Sequence, residues 1–153
     1  RHTKGITDGD FLVSTDDRPD AALSAVEAAP QVDGSAGAAV TSAARAARIP
    51  LVVVLDNLRS AFNVGSVFRT AECLRLQRLD LCGYTSTPED AQTRKSAMGM
   101  HDYVPWKWHQ TTLEAIEGAK REGLPVIALE TVEGCPHIHH FTFPPQGCAV
   151  STQ

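Results

Sequence analysis

Hydrophobic and polar positions follow different patterns in the two parts of this 153-residue chain. Residues 1–48 are rich in Ala, Ser, Gly and Asp and hold few large apolar side chains, which is typical of segments that do not build a packed core. From residue 49 onward, apolar runs alternate with amphipathic stretches. We therefore predict a flexible extension or linker over 1–48 and one folded domain over 49–153.

The folded part predicts an α/β domain with a mostly parallel sheet. The run IPLVVVLD at 49–56 is β-branched and continuously apolar, which is typical of a strand buried on both faces. RLDLCGY at 78–84 and PVIALET at 125–131 predict further strands. Between the first two strands, apolar residues recur at helical spacing, and they predict a helix that packs on the sheet: Val64, Val67, Phe68, Ala71 and Leu74.

Shorter sequence patterns predict the remaining elements of the domain. AQTRKSAMG at 91–99 predicts a short helix or a loop, and YVPWKWH at 103–109 predicts a short extended segment. Thr111 and Glu114 form a capping-box pattern at the start of another helix. Gly123 is the predicted C-terminal stop of that helix.

Composition and charge narrow the class of protein. No run of apolar residues is long enough to cross a membrane, and the four cysteines are scattered without a CxxC pair, so we expect reduced thiols in the cytoplasm. A net charge of -4 argues against a protein that coats nucleic acid by charge alone. Basic residues still outnumber acidic ones around one segment, which indicates either a local basic face or a solvated helix surface: Arg59, Arg69, Arg75, Arg78, Arg94 and Lys95.

The stretch NVGSVFR at 63–69 holds the first candidate site. Ligands bind beyond the carboxyl ends of parallel strands, where the loop after 49–56 lies. Asn63 is predicted to cap the helix, and Gly65 to let another backbone or a phosphate approach closely. Arg69 is predicted to reach back toward free backbone N–H groups. Together they indicate an anion-binding pocket, with an ordinary surface helix as the alternative.

The same stretch resembles a known family motif. LDNLRSAFNVGSVFRTAECL is similar to the first motif of the SpoU (TrmH-type) RNA ribose methyltransferases of the SPOUT superfamily, a strand followed by Asn-x-Gly and Arg-Thr-Ala. TRKSAMGMHDYVPWKW resembles the family's Lys-Ser/Thr-Ala-x-Gly segment, and GLPVIALE its next strand, so that the resemblance covers about residues 51–145. Five residues match the first motif: Asn63, Gly65, Arg69, Thr70 and Ala71.

The resemblance implies an α/β fold with a C-terminal trefoil knot, S-adenosylmethionine as cofactor, a homodimer, and methyl transfer to a ribose 2'-oxygen of tRNA or rRNA. It makes Arg69 and Asn63 the implied catalytic residues. Since arginine stays protonated in proteins, Arg69 is expected to orient the hydroxyl while a substrate phosphate takes the proton, although a role as base stays open. The predicted RNA-binding residues are Arg59, Gly65, Lys95 and Ser96, with a solvated loop as an equal alternative for Lys95 and Ser96.

The chain departs from the family pattern at its end, FPPQGCAVSTQ. Complete members continue with Gly-Asn-Glu and Ser-Leu-Asn-Val segments, which build the cofactor pocket and the knot, and neither follows Ala149 and Val150. We therefore expect a truncated chain without the knot, without identifiable cofactor-binding residues and without activity of its own. Two functions stay open: part of an RNA 2'-O-methyltransferase, or a non-catalytic RNA-binding or dimerisation module.

Two other clusters are candidates for chemistry. In CPHIHH, His137 and His139 would share one face of a strand and hold zinc, but no second ligand pair follows, so we favour a polar surface loop and predict no metal. Trp106 and Trp108 flank Lys107 and would share one side of a strand. For these two rings we favour core or dimer packing over the stacking of RNA bases.

Overall fold

The computed structural model describes residues 11–13 and 48–151, which form a six-stranded parallel sheet flanked by helices. The strands lie side by side in the order β1-β5-β6-β2-β3-β4. Their bounds are β1 Phe11–Val13, β2 Ile49–Asp56, β3 Leu76–Cys82, β4 Trp106–His109, β5 Val126–Leu129 and β6 Gly147–Ser151. The α-helices of the described ranges are α1 Ala61–Cys73, α2 Ala91–Ala97 and α3 Thr112–Arg121. The predicted α/β class with a mostly parallel sheet is confirmed.

The two faces of the sheet carry separate hydrophobic clusters, because successive residues of a strand point to opposite sides. Helices α1 and α2 cover one face, where Val64 and Phe68 pack against Leu79. Helix α3 covers the other face, where Ile116 packs against Val52. Full burial of each such side chain contributes about 1.5–3 kcal/mol, so both helices are held by packing rather than by propensity alone.

The ends of α1 and α3 test the predicted caps. Ser60, not Asn63, is the N-cap of α1: its hydroxyl oxygen accepts a hydrogen bond from the Asn63 N–H at 3.3 Å, so the predicted cap at Asn63 is wrong. Serine suits this position because its short hydroxyl reaches an otherwise unpaired amide of the first turn. The N-cap at Thr111 and the stop at Gly123, with φ at +74°, are confirmed.

Three residues of the predicted extension belong to the sheet. Phe11–Val13 pairs in parallel with β5, an arrangement that we did not predict. The remainder of the predicted extension, 1–10 and 14–47, lies outside the described residues, so the domain boundary at 48 stays a prediction. Within the described ranges, no helix has the length and apolar character needed to cross a membrane.

Candidate functional site

Hydrogen bonds join the loops that follow β2 and β3 at the carboxyl edge of the sheet. Asn57, with φ at +54°, donates its N–H to the carbonyl of Cys82 at 3.4 Å. Its side-chain Oδ1 accepts the N–H of Tyr84 at 3.3 Å. A Cβ at Gly83 would lie 2.1 Å from that oxygen, so glycine is required there. The two loops therefore form one connected unit.

A buried threonine strengthens the connection and positions Arg59. The Thr85 hydroxyl donates to the carbonyl of Leu55 at 3.0 Å and accepts the N–H of Leu58 at 2.9 Å. Arg59 follows in the same loop and is exposed. The side chain of Tyr84 raises the pKa of Arg59 above its ordinary value. Arg59 is thus presented to solvent by a loop with fixed backbone partners.

Arg69 is held beside α1 by two side chains. Its Nη2 donates to Ser66 Oγ at 3.1 Å, and its Nη1 lies 3.4 Å from Met98 Sδ, just after α2. The side chain leans toward the N-terminus of α1, as predicted, but it does not reach the first-turn amides. Those of Asn63 and Val64 already bond to Ser60. Arg69 therefore presents its charge at the side of the helix, and the pocket of free amides with a guanidinium stays a prediction.

Gly65 lies where α1 crosses α2. A Cβ at this position would be 1.9 Å from Ser96 Oγ and 2.6 Å from the backbone nitrogen of Ala97. We predicted that Gly65 lets either another backbone or a phosphate approach closely. The structure shows the approach of the α2 backbone. Ser96 is buried, with Oγ 3.2 Å from the carbonyl oxygen of Ala61, so it faces α1 and not a phosphate. Lys95, one residue earlier, is exposed.

One arginine of the predicted basic face lies in the interior. Arg78 is buried and pairs with Asp80 at 3.0 Å and with Glu122 at 2.8 Å. Burial alone would lower the pKa of Arg78, but the hydrogen bonds with both carboxylates raise it above its ordinary value. Arg78 lines a cleft of about 350 Å³ together with Lys107 and His109. The basic face near Arg59 and Arg69 therefore lacks this charge.

The histidine cluster lies in a surface turn, as we favoured, and one of the two tryptophans packs against the core. His137 and His139 lie at a 3₁₀ turn and not on a strand, with ring centroids 4.9 Å apart. The residues that the structure describes contain no group of three or more His, Cys, Asp or Glu that could hold a metal. Trp106 packs against the cluster on the α1 face, whereas Trp108 is 52% exposed.

Three residues of this region escaped prediction from the sequence. Ser66 holds Arg69, Asn57 ties the loops together, and Tyr84 contacts Arg59. Ser66 had a usable signal, because it precedes Arg69 by three positions and so lies next to it on a helix. Asn57 and Tyr84 had none, since their contacts join loops after different strands.

Comparisons with known proteins point to one family. A profile of the SpoU rRNA Methylase family matches residues 50–150. A search of curated proteins found no match. The fold is similar to that of an AdoMet-bound rRNA methyltransferase from Sinorhizobium meliloti, with a TM-score of 0.60 and 22% identity over 69% of this chain and 40% of that chain.

Two further solved structures show the same likeness. The SpoU methyltransferase AviRb from Streptomyces viridochromogenes, in complex with the cofactor AdoMet, matches with a TM-score of 0.56 and 23% identity over 69% of this chain and 41% of that one. An RNA 2'-O ribose methyltransferase matches with a TM-score of 0.56 and 19% identity over 69% and 40%. At these identities the likeness shows the fold. The chain spans about 40% of the length of the solved structures that it matches.

Proposed function

Because this chain belongs to the SpoU rRNA Methylase family, we propose that it takes part in the S-adenosylmethionine-dependent methylation of a ribose 2'-oxygen in tRNA or rRNA. The placement of Arg69 carries the proposal, since its guanidinium is held by Ser66 and Met98 at the side of α1. Two similar structures contain AdoMet, which supports the cofactor. A third is an RNA 2'-O ribose methyltransferase, which supports the reaction class.

The chemistry explains why an arginine would be used. A ribose 2'-hydroxyl is a poor nucleophile near neutral pH, so the site must orient it and remove its proton. Arg69 stays protonated and offers a planar fork of donors, which suits it to fix the hydroxyl oxygen and a neighbouring phosphate together. The proton then passes to a substrate phosphate oxygen. Asn63, exposed on the first turn of α1, is the proposed second contact to the ribose or phosphate.

S-adenosylmethionine supplies the methyl group when it is bound, but two clefts formed by the described residues are not lined by Arg69. A cleft of about 210 Å³ lies at the start of β2 and β6, and the charged cleft of about 350 Å³ lies beside α3. Neither of these two clefts is lined by Asn63 or Arg69. We therefore assign RNA-orienting groups to these 153 residues, propose that they do not transfer methyl groups alone, and derive no step through the cofactor.

The remaining RNA contacts follow from exposure and charge. Arg59 and Lys95 are exposed cations and are proposed to neutralise phosphates. Gly65 and Ser96 are buried, and we propose that they act through the helix crossing that positions Lys95 and Arg69. We also propose a homodimeric protein in the cytoplasm, where its four free cysteines would stay reduced.

The test is methyl transfer by the full-length gene product that contains these residues. Purified protein is incubated with total RNA and tritium-labelled S-adenosylmethionine, and 2'-O-methylation is located by the resistance of the adjoining bond to alkaline hydrolysis. Arg69→Ala should lower the rate by about 100-fold or more, and Arg69→Lys should not restore it, because an ammonium lacks the planar fork. Arg121→Ala, which removes an exposed cation on α3, is the matched control and should keep the rate.

The outcomes separate the two functions. Labelled methyl groups on base atoms, or a rate unaffected by Arg69→Ala, would contradict the assignment. RNA binding without any methyl transfer by the full-length protein would favour the alternative, a non-catalytic RNA-binding module of the same family.

A further inference from the structure

Two exposed aromatic rings lie at the ends of neighbouring strands on the carboxyl edge of the sheet. Tyr84 follows β3 and is 60% exposed, and Trp108, in β4, is 52% exposed. β3 and β4 are adjacent and parallel, with Leu81 opposite Trp108, so both rings belong to the same edge region. Single exposed aromatics are common on protein surfaces, so exposure alone decides nothing.

Hydrogen bonds hold this pair of residues in place. The indole Nε1 of Trp108 donates to the carbonyl of Gly83 at 3.1 Å, one residue before Tyr84. The N–H of Gly83 donates to the carbonyl of His109 at 3.0 Å, and the N–H of Tyr84 donates to Asn57 Oδ1 at 3.3 Å. Because the strand ends are fixed in this way, binding of a ligand to the rings would cost the protein little conformational entropy.

A cation lies within the same unit. Arg59 is exposed, and the N–H of the preceding Leu58 donates to the hydroxyl of Thr85, the residue after Tyr84, at 2.9 Å. An aromatic face next to a cation is the combination that binds single-stranded nucleic acid, since the base stacks on the ring and the phosphate pairs with the charge. In a duplex the faces of the bases are covered by their neighbours, so such a surface selects unpaired nucleotides.

We propose that Arg59, Tyr84 and Trp108 form a platform on which unpaired bases of the RNA substrate stack. This inference rests on the proposed function, because the loop of Arg59 leads directly into α1, which carries Asn63 and Arg69. A second copy of the chain is the competing occupant of the platform. Tyr, Trp and Arg are also common at protein interfaces, so composition does not separate the two occupants. We commit to RNA because a stacked nucleotide uses both the ring faces and, through its phosphate, the charge of Arg59.

Binding of a labelled oligouridylate of about 12 nucleotides tests the platform, measured by fluorescence anisotropy with the full-length protein that contains these residues. Tyr84→Leu and Trp108→Leu should each weaken binding by about 5- to 150-fold, the range found when a stacked aromatic is removed. Tyr84→Phe and Trp108→Phe keep the rings and should stay within about threefold of the wild type. Tyr103→Leu is the matched control, because Tyr103 is 64% exposed but lies before β4, away from the platform.

Each outcome decides the inference. Wild-type affinity of both leucine variants, or equal affinity for the oligonucleotide and for an RNA duplex of the same length, would overturn it. If the leucine variants no longer sediment as a dimer while their RNA binding is unchanged, the rings belong to a dimer interface. That result would also overturn the inference. The phenylalanine variants keep the test valid if a leucine variant fails to fold.

Failure of the platform is distinguishable from failure of the proposed function. If the full-length protein methylates RNA while the leucine variants bind and methylate like the wild type, the platform is refuted and the function stands. If the wild-type full-length protein transfers no methyl group to RNA, the proposed function itself is refuted.

Discussion

At the residue scale, the position of one guanidinium depends on one hydroxyl. Arg69 hydrogen bonds to Ser66 Oγ at 3.1 Å, and its other amino group contacts only the sulfur of Met98, a weak acceptor. Without the hydroxyl, the arginine would sample several rotamers. The orientation of Arg69 is therefore a property of the pair Ser66 and Arg69.

We predict that Ser66→Ala lowers methyl transfer by the full-length protein by about tenfold, the effect of losing one hydrogen bond to a charged group. Ser66→Thr keeps a hydroxyl at the same place and should retain most of the rate. The measurement is initial rate against RNA concentration for both variants. Equal rates for Ser66→Ala and the wild type would show that Arg69 needs no such support.

Two helical glycines offer a matched pair of stability predictions. Gly65→Ala would place a Cβ 2.6 Å from the backbone nitrogen of Ala97, so α1 and α2 must separate, and the free energy of unfolding should fall by about 2 kcal/mol. Gly118→Ala has no atom nearer than 3.9 Å, so it should raise that free energy by about 0.5–1 kcal/mol. Urea unfolding of both variants checks the pair. A stabilising Gly65→Ala would contradict the tight crossing.

The sequence singles out the candidate site residues, but it does not identify the neighbour that Gly65 accommodates. Asn63, Gly65 and Arg69 stand out by spacing within one short stretch. The neighbour that Gly65 accommodates, Ser96, comes from a different helix, and no local pattern connects the two. A site residue is thus easier to identify than the contact that gives it a role.

At the element scale, β3 and α3 are joined by charges that local patterns did not reveal. Asp80 of β3 is fully buried and bonds to Arg78, which also bonds to Glu122 just after α3. A buried carboxylate needs such a partner, because removal of one charge leaves the other without solvent or counterion. The network therefore ties β3 to the helix that covers this face of the sheet.

We predict that Arg78→Met lowers the free energy of unfolding by about 3–5 kcal/mol, because it leaves Asp80 charged and buried. The double variant Arg78→Met, Asp80→Leu removes both charges and should be more stable than the single variant. Urea unfolding of the two variants makes the comparison. A double variant no more stable than Arg78→Met would show that the loss comes from packing instead of the unpaired carboxylate.

The same network predicts a dependence on pH. The hydrogen bond from Arg78 lowers the pKa of Glu122 below its ordinary value. A lowered pKa in the folded state stabilises the fold above about pH 4.3, and this contribution is lost as the pH falls through the folded value. The difference in unfolding free energy between the wild type and Glu122→Gln should therefore shrink as the pH is lowered below about 4. A difference that stays constant with pH would contradict this pairing.

The long apolar strand β2 was predictable from the sequence, and the three-residue edge strand β1 was not. β2 lies between β6 and β3, and a strand buried in this way is continuously apolar. The run IPLVVVLD could therefore be identified as a strand from the sequence. β1 is only Phe11–Val13, and its partner β5 lies at the other end of the chain. Three apolar residues carry no usable period, so this pairing depends on the assembled sheet.

At the scale of the whole molecule, the sheet separates two hydrophobic layers, and two buried cysteines belong to the layer under α3. Cys82 of β3 and Cys148 of β6 are fully buried and belong to the layer under α3. Burial raises the pKa of each thiol to about 12. Cys73, at the end of α1, is exposed. Since the thiolate is the reactive form, the buried and exposed thiols should differ in both access and ionisation.

We predict two classes of thiol in the native protein at about pH 8. An aromatic disulfide reagent should modify the exposed Cys73 fast. Because β3 and β6 lie inside the sheet, it should modify Cys82 and Cys148 only at the rate at which the hydrophobic layer under α3 opens by local unfolding. Cys73→Ser should remove a fast-reacting thiol and leave the slow class unchanged, and in concentrated guanidinium chloride all four thiols should react at similar rates. Fast modification of Cys82 or Cys148 without denaturant would show that the layer under α3 is open in solution.

The raised pKa values of Cys82 and Cys148 also predict how stability depends on pH. The thiols of the unfolded chain ionise above about pH 8.5, while the folded ones keep their protons. The free energy of unfolding should therefore fall as the pH rises from there toward 12.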